Sequence, residues 1–507
     1  MKKIIYTLFA AVAAMTMVSS CDFSDFGDIN KSPNSPSTEY TTMLFANACL
    51  EVSGFVLNGT TYDMWTQFWN GYLSESKNNQ FGELGTTKTY GTGSFYYRYM
   101  KECNEIIALN SSDETKNETN VTGLGDANNQ IAAATTLRAY YMMNLTDIVG
   151  PLPYSEAWKG ESDGIWYPKF DSVKDIYTAL DSELASCYKQ FKEDGKFSST
   201  YDLIFHGDIA KWKKFNATLR MMMAIKLADV DSATGKTRFA KAYADGGMVD
   251  VADSFTWTYD NKYKYSGMYY QGNKSYAAAA VNFVPNSIIV DALKEYQDPR
   301  LFVYTTLDGY KGLVPGDPKD FNAYHGVLFG LESNDAVVSA AKGCCSVADR
   351  YCEMEATVGV ITTARCLLVE AEAAKLGWIS ASAEDLYYAG IKASFDFEGA
   401  EGYDEYIKGP KVVWADSMDQ IIMQRWLAGY MTDGIEAWSD WRRYNIPTMT
   451  MGPQQLINGF TAYPYRMQYG DNDRLYNKEN YNAIVASELG GNDDRWTRLW
   501  WDVADND

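Results

Sequence analysis

The chain has 507 residues, of which 46% are hydrophobic and 15% aromatic, and this composition excludes a disordered or low-complexity protein. Its formal net charge of −21 would repel nucleic acid and anionic membrane surfaces, so neither is expected as a partner. A single core stops growing at roughly 250–300 residues, which predicts subdomains or stacked helical units. With 14 Trp and 38 Tyr, the chain has more amphipathic rings than a core requires, which indicates a binding surface.

The first residues have the pattern of a secretory signal, predicted to span residues 1–20. Lys2 and Lys3 precede an apolar run over residues 4–18, which is shorter than the about 20 residues of a spanning helix. The sequence Val-Ser-Ser-Cys ending at Cys21 resembles a bacterial lipobox, which implies cleavage before Cys21 and lipidation of that residue. The alternative is ordinary signal cleavage with an incidental cysteine. No later stretch has 18 consecutive apolar residues.

The mature chain is predicted to begin with a lipidated tether over residues 21–38, which is rich in Asp, Ser, Asn and Pro. The body then extends over residues 39–507. Acidic residues follow the lipidated cysteine closely, at Asp22, Asp25 and Asp28. Acidic residues at this place resemble the surface-export signal of lipoproteins in the Bacteroidota, which implies a position outside the cell.

The cysteines of the body do not form a disulfide framework by number, because seven remain after Cys21. They are Cys49, Cys103, Cys187, Cys344, Cys345, Cys352 and Cys366. The sequence permits one loop disulfide, which would join Cys352 to Cys344 or Cys345. The cysteines in helical patterns are expected to pack as small apolar residues. No paired C-x-x-C spacing indicates a zinc site, and the two histidines argue against a His-rich metal centre.

Helical periodicity dominates the body. Apolar residues recur at three-and-four spacing in three stripes: Ala134, Leu137, Tyr141, Leu145 and Ile148; Ile209, Trp212, Phe215, Leu219 and Met222; Ala364, Leu367, Ala371, Ala374 and Trp378. Gly150 and Pro151 are expected to end the first helix. The alanine-rich face at residues 371–374 permits close helix pairing, as in tetratricopeptide-type arrays, although no 34-residue period is visible.

Three stretches of the body lack this periodicity and mix turn residues with aromatic residues. They lie near residues 58–97, 245–275 and 305–345. Long irregular inserts in a compact protein are often functional. The predicted fold is therefore mainly α, with a tetratricopeptide-like helix-pair scaffold and an irregular, loop-rich ligand-binding region.

A series of motifs extends from the lipobox to near the C-terminus. It comprises Leu137 to Ala157 with the turn Gly150-Pro151-Leu152-Pro153-Tyr154, Lys211 to Arg220, Asp298-Pro299-Arg300-Leu301, Glu370 to Trp378, Gln424-Arg425-Trp426, Glu436 to Arg443 and Tyr463-Pro464-Tyr465-Arg466, with Asn477 and Tyr481. In this order, the motifs resemble the SusD/RagB family of surface nutrient-binding lipoproteins.

This resemblance implies a non-enzymatic protein of the outer membrane, anchored by lipid and facing the medium. Family members cover a SusC-type TonB-dependent transporter and capture oligosaccharides or, in the RagB type, oligopeptides. The motif arginines are expected to be structural, pairing with buried carboxylates such as Glu370, Glu372 or Asp440, because charges rarely bury unpaired. These arginines are Arg138, Arg220, Arg425, Arg442 and Arg443.

A sugar-binding site needs exposed rings that stack on C–H faces and polar groups that bind the hydroxyls. On composition alone, the predicted ligand-binding residues are Trp65, Trp69, Trp257, Tyr259, Tyr263 and Tyr265. Trp65 and Trp69 are four apart, so a core stripe is an equal alternative. The Tyr-rich segment has a second interpretation, as a contact surface for the transporter.

A secreted glycosidase is the rival class, since two carboxylates at the right separation suffice for glycoside hydrolysis. The sequence contains no G-x-S-x-G, H-E-x-x-H, phosphate-binding or EF-hand motif, and His206 and His325 lie far apart in the chain. We therefore predict a binding protein without a cofactor, and a purely structural partner of the transporter is the third class.

Overall fold

The computed structural model describes residues 40–50, 52, 62–76, 100–259, 283–309, 312–353, 355–432 and 434–503. The helices in these ranges are α1 (Thr41–Leu50), α2 (Tyr62–Trp69), α3 (Lys101–Ser111), α4 (Thr119–Thr122), α5 (Ala127–Val149), α6 (Gly160–Asp163), α7 (Val173–Tyr188), α8 (Ile209–Ile225), α9 (Ser232–Asp245), α10 (Ser287–Glu295), α11 (Leu301–Tyr304), α12 (Asn334–Ala340), α13 (Asp349–Cys352), α14 (Thr363–Lys375), α15 (Ala383–Glu398), α16 (Tyr403–Tyr406), α17 (Met418–Ala428), α18 (Gly434–Tyr444), α19 (Pro453–Ile457), α20 (Asp471–Tyr476) and α21 (Lys478–Glu488). The mainly α class is therefore confirmed.

Capping side chains and turn residues mark the ends of the long helices. The Asp126 side chain accepts a hydrogen bond from the backbone N–H of Asn128 and caps α5. That helix ends at Gly150, whose φ of 96° is unfavourable for a residue with a side chain, and Pro151 follows it. Ser172 and Asp208 cap α7 and α8 in the same way. The first two predicted apolar stripes thus lie on α5 and α8, and the third lies on α14 except for Trp378, which follows the end of that helix at Lys375.

Each of the long helices packs against two or more other helices. Helix α7 packs between α5 and α8, α8 also contacts α9 and α14, and α14 contacts α15 and α17. Consecutive helices that pack on each other are the expected arrangement of a helix-pair scaffold. In the described part of the chain, no helix combines the length and apolar character that a bilayer crossing requires.

The described strands form four two-stranded antiparallel sheets: β1 (Leu73–Glu75) with β3 (Phe283–Pro285), β2 (Phe255–Thr258) with β8 (Thr357–Ile361), β4 (Thr305–Thr306) with β7 (Ser346–Val347), and β5 (Asp308–Gly309) with β6 (Gly312–Leu313). They lie mostly in or beside the three predicted inserts. The third insert is less irregular than its sequence indicates, because it also contains α12.

A buried ion-pair cluster joins α14, α17 and α18. Arg425 bonds Glu372 at 2.6 Å and Asp440 at 2.7 Å, and Arg443 bonds Glu372 at 2.7 Å. Arg365 bonds the other oxygen of Asp440 at 2.8 Å. Burial by itself would raise the pKa of Asp440, but the guanidinium groups of Arg425 and Arg365 outweigh it and lower that pKa to about 2.

The expected role of one arginine and that of one carboxylate differ in the structure. Arg442 donates to the carbonyl oxygens of Asp147 and Tyr465, at 2.7 and 2.9 Å, and its guanidinium lies 3.8 Å from the centre of the Trp438 ring. Burial lowers its pKa to about 10. The expectation that Glu370 pairs with an arginine is wrong. Its carboxylate instead contacts the Cys366 thiol at 3.6 Å.

Glu370 supplies a pH-dependent prediction. Burial raises its pKa to about 7, so between about pH 4.5 and pH 7 the folded state holds a proton that the unfolded state releases. Native stability from this group therefore falls as the pH rises through that window. Glutamine does not titrate, so Glu370→Gln should not lose this stability. We expect its free energy of unfolding, relative to that of wild type, to increase by up to roughly 3 kcal/mol from pH 4.5 to pH 8, as measured by urea unfolding. The surface variant Glu332→Gln is the control, and an equal gain at both pH values would contradict the assignment.

All seven cysteines of the body are buried free thiols. Cys103, Cys187 and Cys366 lie on helices and pack in the core, as expected. The loop disulfide left open for Cys352 does not form in this structure. Burial instead raises the pKa of the Cys344 and Cys345 thiols to about 12, which disfavours the reactive thiolate.

Candidate ligand-binding site

Two segments with the composition expected of a sugar site are attached to the helical frame at one small sheet. In the β1–β3 pair, Glu75 lies opposite Phe283. The position at which residues 77–99 begin is therefore next to the position at which residues 260–282 end. Both segments are rich in Tyr and Asn. The frame thus brings the attachment points of the two segments together, although they are far apart in the sequence.

Packed aromatic rings and one asparagine hold this sheet on the frame. Phe68 of α2 packs on Phe283 of β3, with 5.5 Å between ring centroids, and stacks on Phe329 at 4.8 Å. The Asn286 side chain donates to the carbonyl oxygen of Leu73 at 3.2 Å and accepts from the N–H of Ile288 at 3.0 Å. The same side chain thus fixes the sheet edge and caps α10. Ligand-binding segments attached here would start from a rigid base.

Trp65 and Trp69 do not offer the exposed rings that composition predicted. Both lie on one face of α2, with ring centroids 5.9 Å apart, and Trp69 packs at 5.1 Å on Trp438 of α18. Only 6% of Trp65 and 2% of Trp69 is exposed. The predicted exposure is wrong, and the core-stripe alternative describes these two residues, because their four-residue spacing places both against a neighbouring helix.

Trp257 and Tyr259 are also buried, at 5% and 4% exposed. Strand β2 alternates between a buried and a more exposed face, and Trp257 lies on the buried one, opposite Val358 of β8. The N–H of Tyr259 donates to the carbonyl oxygen of Ala356 at 3.0 Å. The two-residue spacing therefore marks a real strand, but the predicted exposure of its rings is wrong, because the rings face inward.

The remaining predicted site residues lie outside the described residues. These are Tyr263 and Tyr265, within residues 260–282, and the lipidation site Cys21. Within the ranges that the structure does describe, no three His, Cys, Asp or Glu side chains are grouped to hold a metal ion.

Sequence reasoning missed a group of exposed aromatic residues outside the three inserts. They are Trp158, Trp166, Tyr167 and Tyr476. A signal was available, because Trp166 and Tyr167 are adjacent between Gly164 and Pro168, directly after the polar residues 159–163, and follow no helical or strand period. Rings in such a setting have no core face to occupy.

A comparison with protein families identifies the chain at the level of family. The SusD-like family model, described as "Starch-binding associating with outer membrane", matches residues 33–470. The chain belongs to the SusD-like family. None of the curated proteins matches it significantly in sequence.

Solved SusD-like structures share the fold over nearly the whole chain. A SusD homologue from Bacteroides fragilis superposes with a TM-score of 0.77 at 20% identity, covering 91% of this chain and 100% of that one. A SusD-like protein from Bacteroides thetaiotaomicron gives 0.72 at 20% identity, covering 92% and 99%. A chitin-binding SusD homologue from Flavobacterium johnsoniae gives 0.70 at 22% identity, covering 91% and 98%. The predicted tetratricopeptide-like helical fold is confirmed.

Proposed function

We propose that this SusD-like protein is a cell-surface lipoprotein that captures oligosaccharides and delivers them to a SusC-type TonB-dependent transporter of the outer membrane. The observation that carries the proposal is the family match over residues 33–470, because that family is described as starch-binding and as associating with the outer membrane. A chitin-binding homologue with the same fold is in keeping with a glycan as cargo.

The proposed ligand site comprises the two segments attached at the β1–β3 sheet. Tyr263 and Tyr265 are the proposed stacking residues, since they alternate with Lys and Asn in a stretch without helical period. Trp257 and Tyr259, which directly precede that stretch in the sequence, are buried. Lipidation of Cys21 would anchor the body to the membrane without a spanning segment.

Capture without chemical change fits the family match better than hydrolysis, because the matching family is described as starch-binding. A carrier also has to release its cargo. We therefore expect stacking-driven binding of modest affinity.

The test is a titration of the soluble mature chain with a panel of oligosaccharides and oligopeptides. We expect saturable binding of an oligosaccharide, and we expect Tyr263→Ala with Tyr265→Ala to weaken it by roughly 1–3 kcal/mol for each ring, since aromatic residues dominate binding energy at such contacts. The matched control is Tyr201→Ala, which removes an exposed ring elsewhere in the chain. Wild-type affinity in the double variant would contradict the assigned site, and saturable binding of peptides alone would favour the RagB-type alternative.

A further inference from the structure

The loop between Tyr154 and Phe170 holds the rings of Trp166 and Tyr167 out to solvent. Trp166 is 68% exposed and Tyr167 is 67% exposed, whereas the tryptophans first predicted to bind ligand are nearly fully buried. Exposed Trp and Tyr side chains in adjacent positions leave considerable apolar area in water, which a monomeric protein normally avoids. The loop belongs neither to the β1–β3 sheet nor to the three inserts.

The backbone geometry presets the orientation of Trp166. A Cβ atom placed on Gly160 would lie 3.0 Å from both Cε3 and Cζ3 of the Trp166 ring, so the six-membered ring lies directly against the glycine backbone. The N–H of Ile165 donates to the carbonyl oxygen of Lys159 at 3.1 Å and closes the turn between them. One side of the ring is thus in contact with the backbone while most of its area stays open. An aromatic ring held in this way loses little conformational entropy on binding.

Two asparagines tie the same loop to the C-terminal helices. The Asn480 side chain donates to the carbonyl oxygen of Tyr167 at 2.9 Å, and that of Asn477 donates to the carbonyl oxygen of Pro168 at 2.7 Å. Tyr476, which immediately precedes Asn477, is 72% exposed. The side-chain amides therefore bring the backbone next to Tyr476 close to the loop. We call Trp166, Tyr167 and Tyr476 the aromatic platform.

The size of the platform favours a sugar chain over a protein partner. A fully buried aromatic side chain covers about 150–250 Å², so three rings exposed by about two thirds offer roughly 300–500 Å². A stable protein interface needs about 800 Å² from each partner. The exposed carboxylates Glu161 and Asp163 are hydrogen-bond acceptors close to Trp166 in the chain, and sugar hydroxyls are donors. The net charge of −21 disfavours an anionic ligand.

We propose that the aromatic platform is a second stacking site, which holds neutral polysaccharide chains while a chain end occupies the site at the β1–β3 sheet. This inference rests on the proposed glycan-binding function and adds a separate surface to it. Two linked contacts on one long chain raise the overall affinity without a new contact at either site. The platform therefore matters for long polymers and not for short oligosaccharides.

The experiment compares long and short ligands on the soluble mature chain. Native gels containing soluble starch, glycol chitin, xylan or β-glucan measure retardation by a polymer, and calorimetry with the hexasaccharide of the retarding polymer measures binding of a short ligand. We expect Trp166→Ala with Tyr167→Ala to weaken polymer binding about tenfold and to leave the hexasaccharide affinity unchanged. Tyr476→Ala alone should give a smaller loss in the gel, and Tyr201→Ala should give none.

The outcomes separate this inference from the proposed function. Unchanged retardation of the Trp166 and Tyr167 double variant, in a polymer that retards wild type, overturns the platform and leaves the proposed function intact. Unchanged retardation together with loss of transporter co-purification identifies the platform as a protein contact and also overturns the inference. If wild type binds none of the polymers and none of their hexasaccharides, both the inference and the proposed function are contradicted. Thermal melting of each variant excludes loss by misfolding.

Discussion

Arg425→Met is expected to lower the free energy of unfolding by about 3–5 kcal/mol. Arg425 is fully buried and bonds Glu372 and Asp440 at once, so its loss leaves both carboxylates short of a cation in the core. Arg443 and Arg365 still bond these carboxylates and limit the damage. Methionine keeps most of the volume, so the cost reports the missing charge more than a cavity. Urea unfolding of wild type and variant at pH 7 measures the difference.

A half-buried arginine in a surface ion pair provides the matched control for this change. Arg474 pairs with Asp471 at 3.3 Å at the surface, three residues apart in α20. Surface pairs contribute little, because water screens them and the long side chains lose entropy. We therefore expect Arg474→Met to unfold almost as wild type does. Similar midpoints for Arg425→Met and Arg474→Met would show that the buried cluster does not stabilise the fold as we describe.

Lys226→Met is expected to have a comparable effect, about 3–5 kcal/mol, at a different point of the scaffold. The Lys226 ammonium bonds Asp147 at 2.6 Å and Glu436 at 2.8 Å, and all three residues are buried. Burial by itself would lower the pKa of Lys226, but the two carboxylates outweigh it and raise that pKa. Asp147 also accepts from the Tyr177 hydroxyl and the Trp501 indole. The cluster therefore joins α5, α7 and α18 to the C-terminal segment.

A double variant distinguishes the missing charge from a packing defect. Without Lys226, Asp147 and Glu436 are two like charges in the core, so adding Glu436→Gln should recover part of the lost stability. Lys408→Met, at a surface pair with Glu405, should leave unfolding unchanged. If the double variant is less stable than Lys226→Met alone, the repulsion that we assign to the two carboxylates is not the cause.

Helix positions and the helical class could be predicted because they depend on local rules. Asp126 and Gly150 mark the two ends of α5 in the sequence, and the apolar stripe between them repeats at helical spacing. The pairing of Glu372 and Asp440 with the motif arginines followed from the cost of a buried charge. Glu370 has the same residue type and a nearby position, yet it faces Cys366 and no arginine. Periodicity does not reveal which neighbour a side chain meets across a helix interface.

The candidate site was harder to predict because composition does not distinguish a buried ring from an exposed one. Trp257 alternates with threonines, as in any strand with one buried face, and this pattern does not show which face is buried; in the structure the Trp257 ring lies on the buried face. The partner strand β8 is about one hundred residues further along the chain. Conversely, Trp166 is exposed because a glycine contact and two asparagine side chains fix its loop, and these are tertiary features. Local patterns therefore predict the frame better than the binding surface.

We propose that the helical frame captures a glycan and leaves it chemically unchanged. The most direct measurement is a titration of the purified mature chain with the oligosaccharide panel, followed by chromatography of the ligand recovered from the saturated complex. We predict saturable binding of at least one oligosaccharide, recovered at its original length. A shortened product, or the absence of saturable binding to every glycan in the panel, would contradict the account.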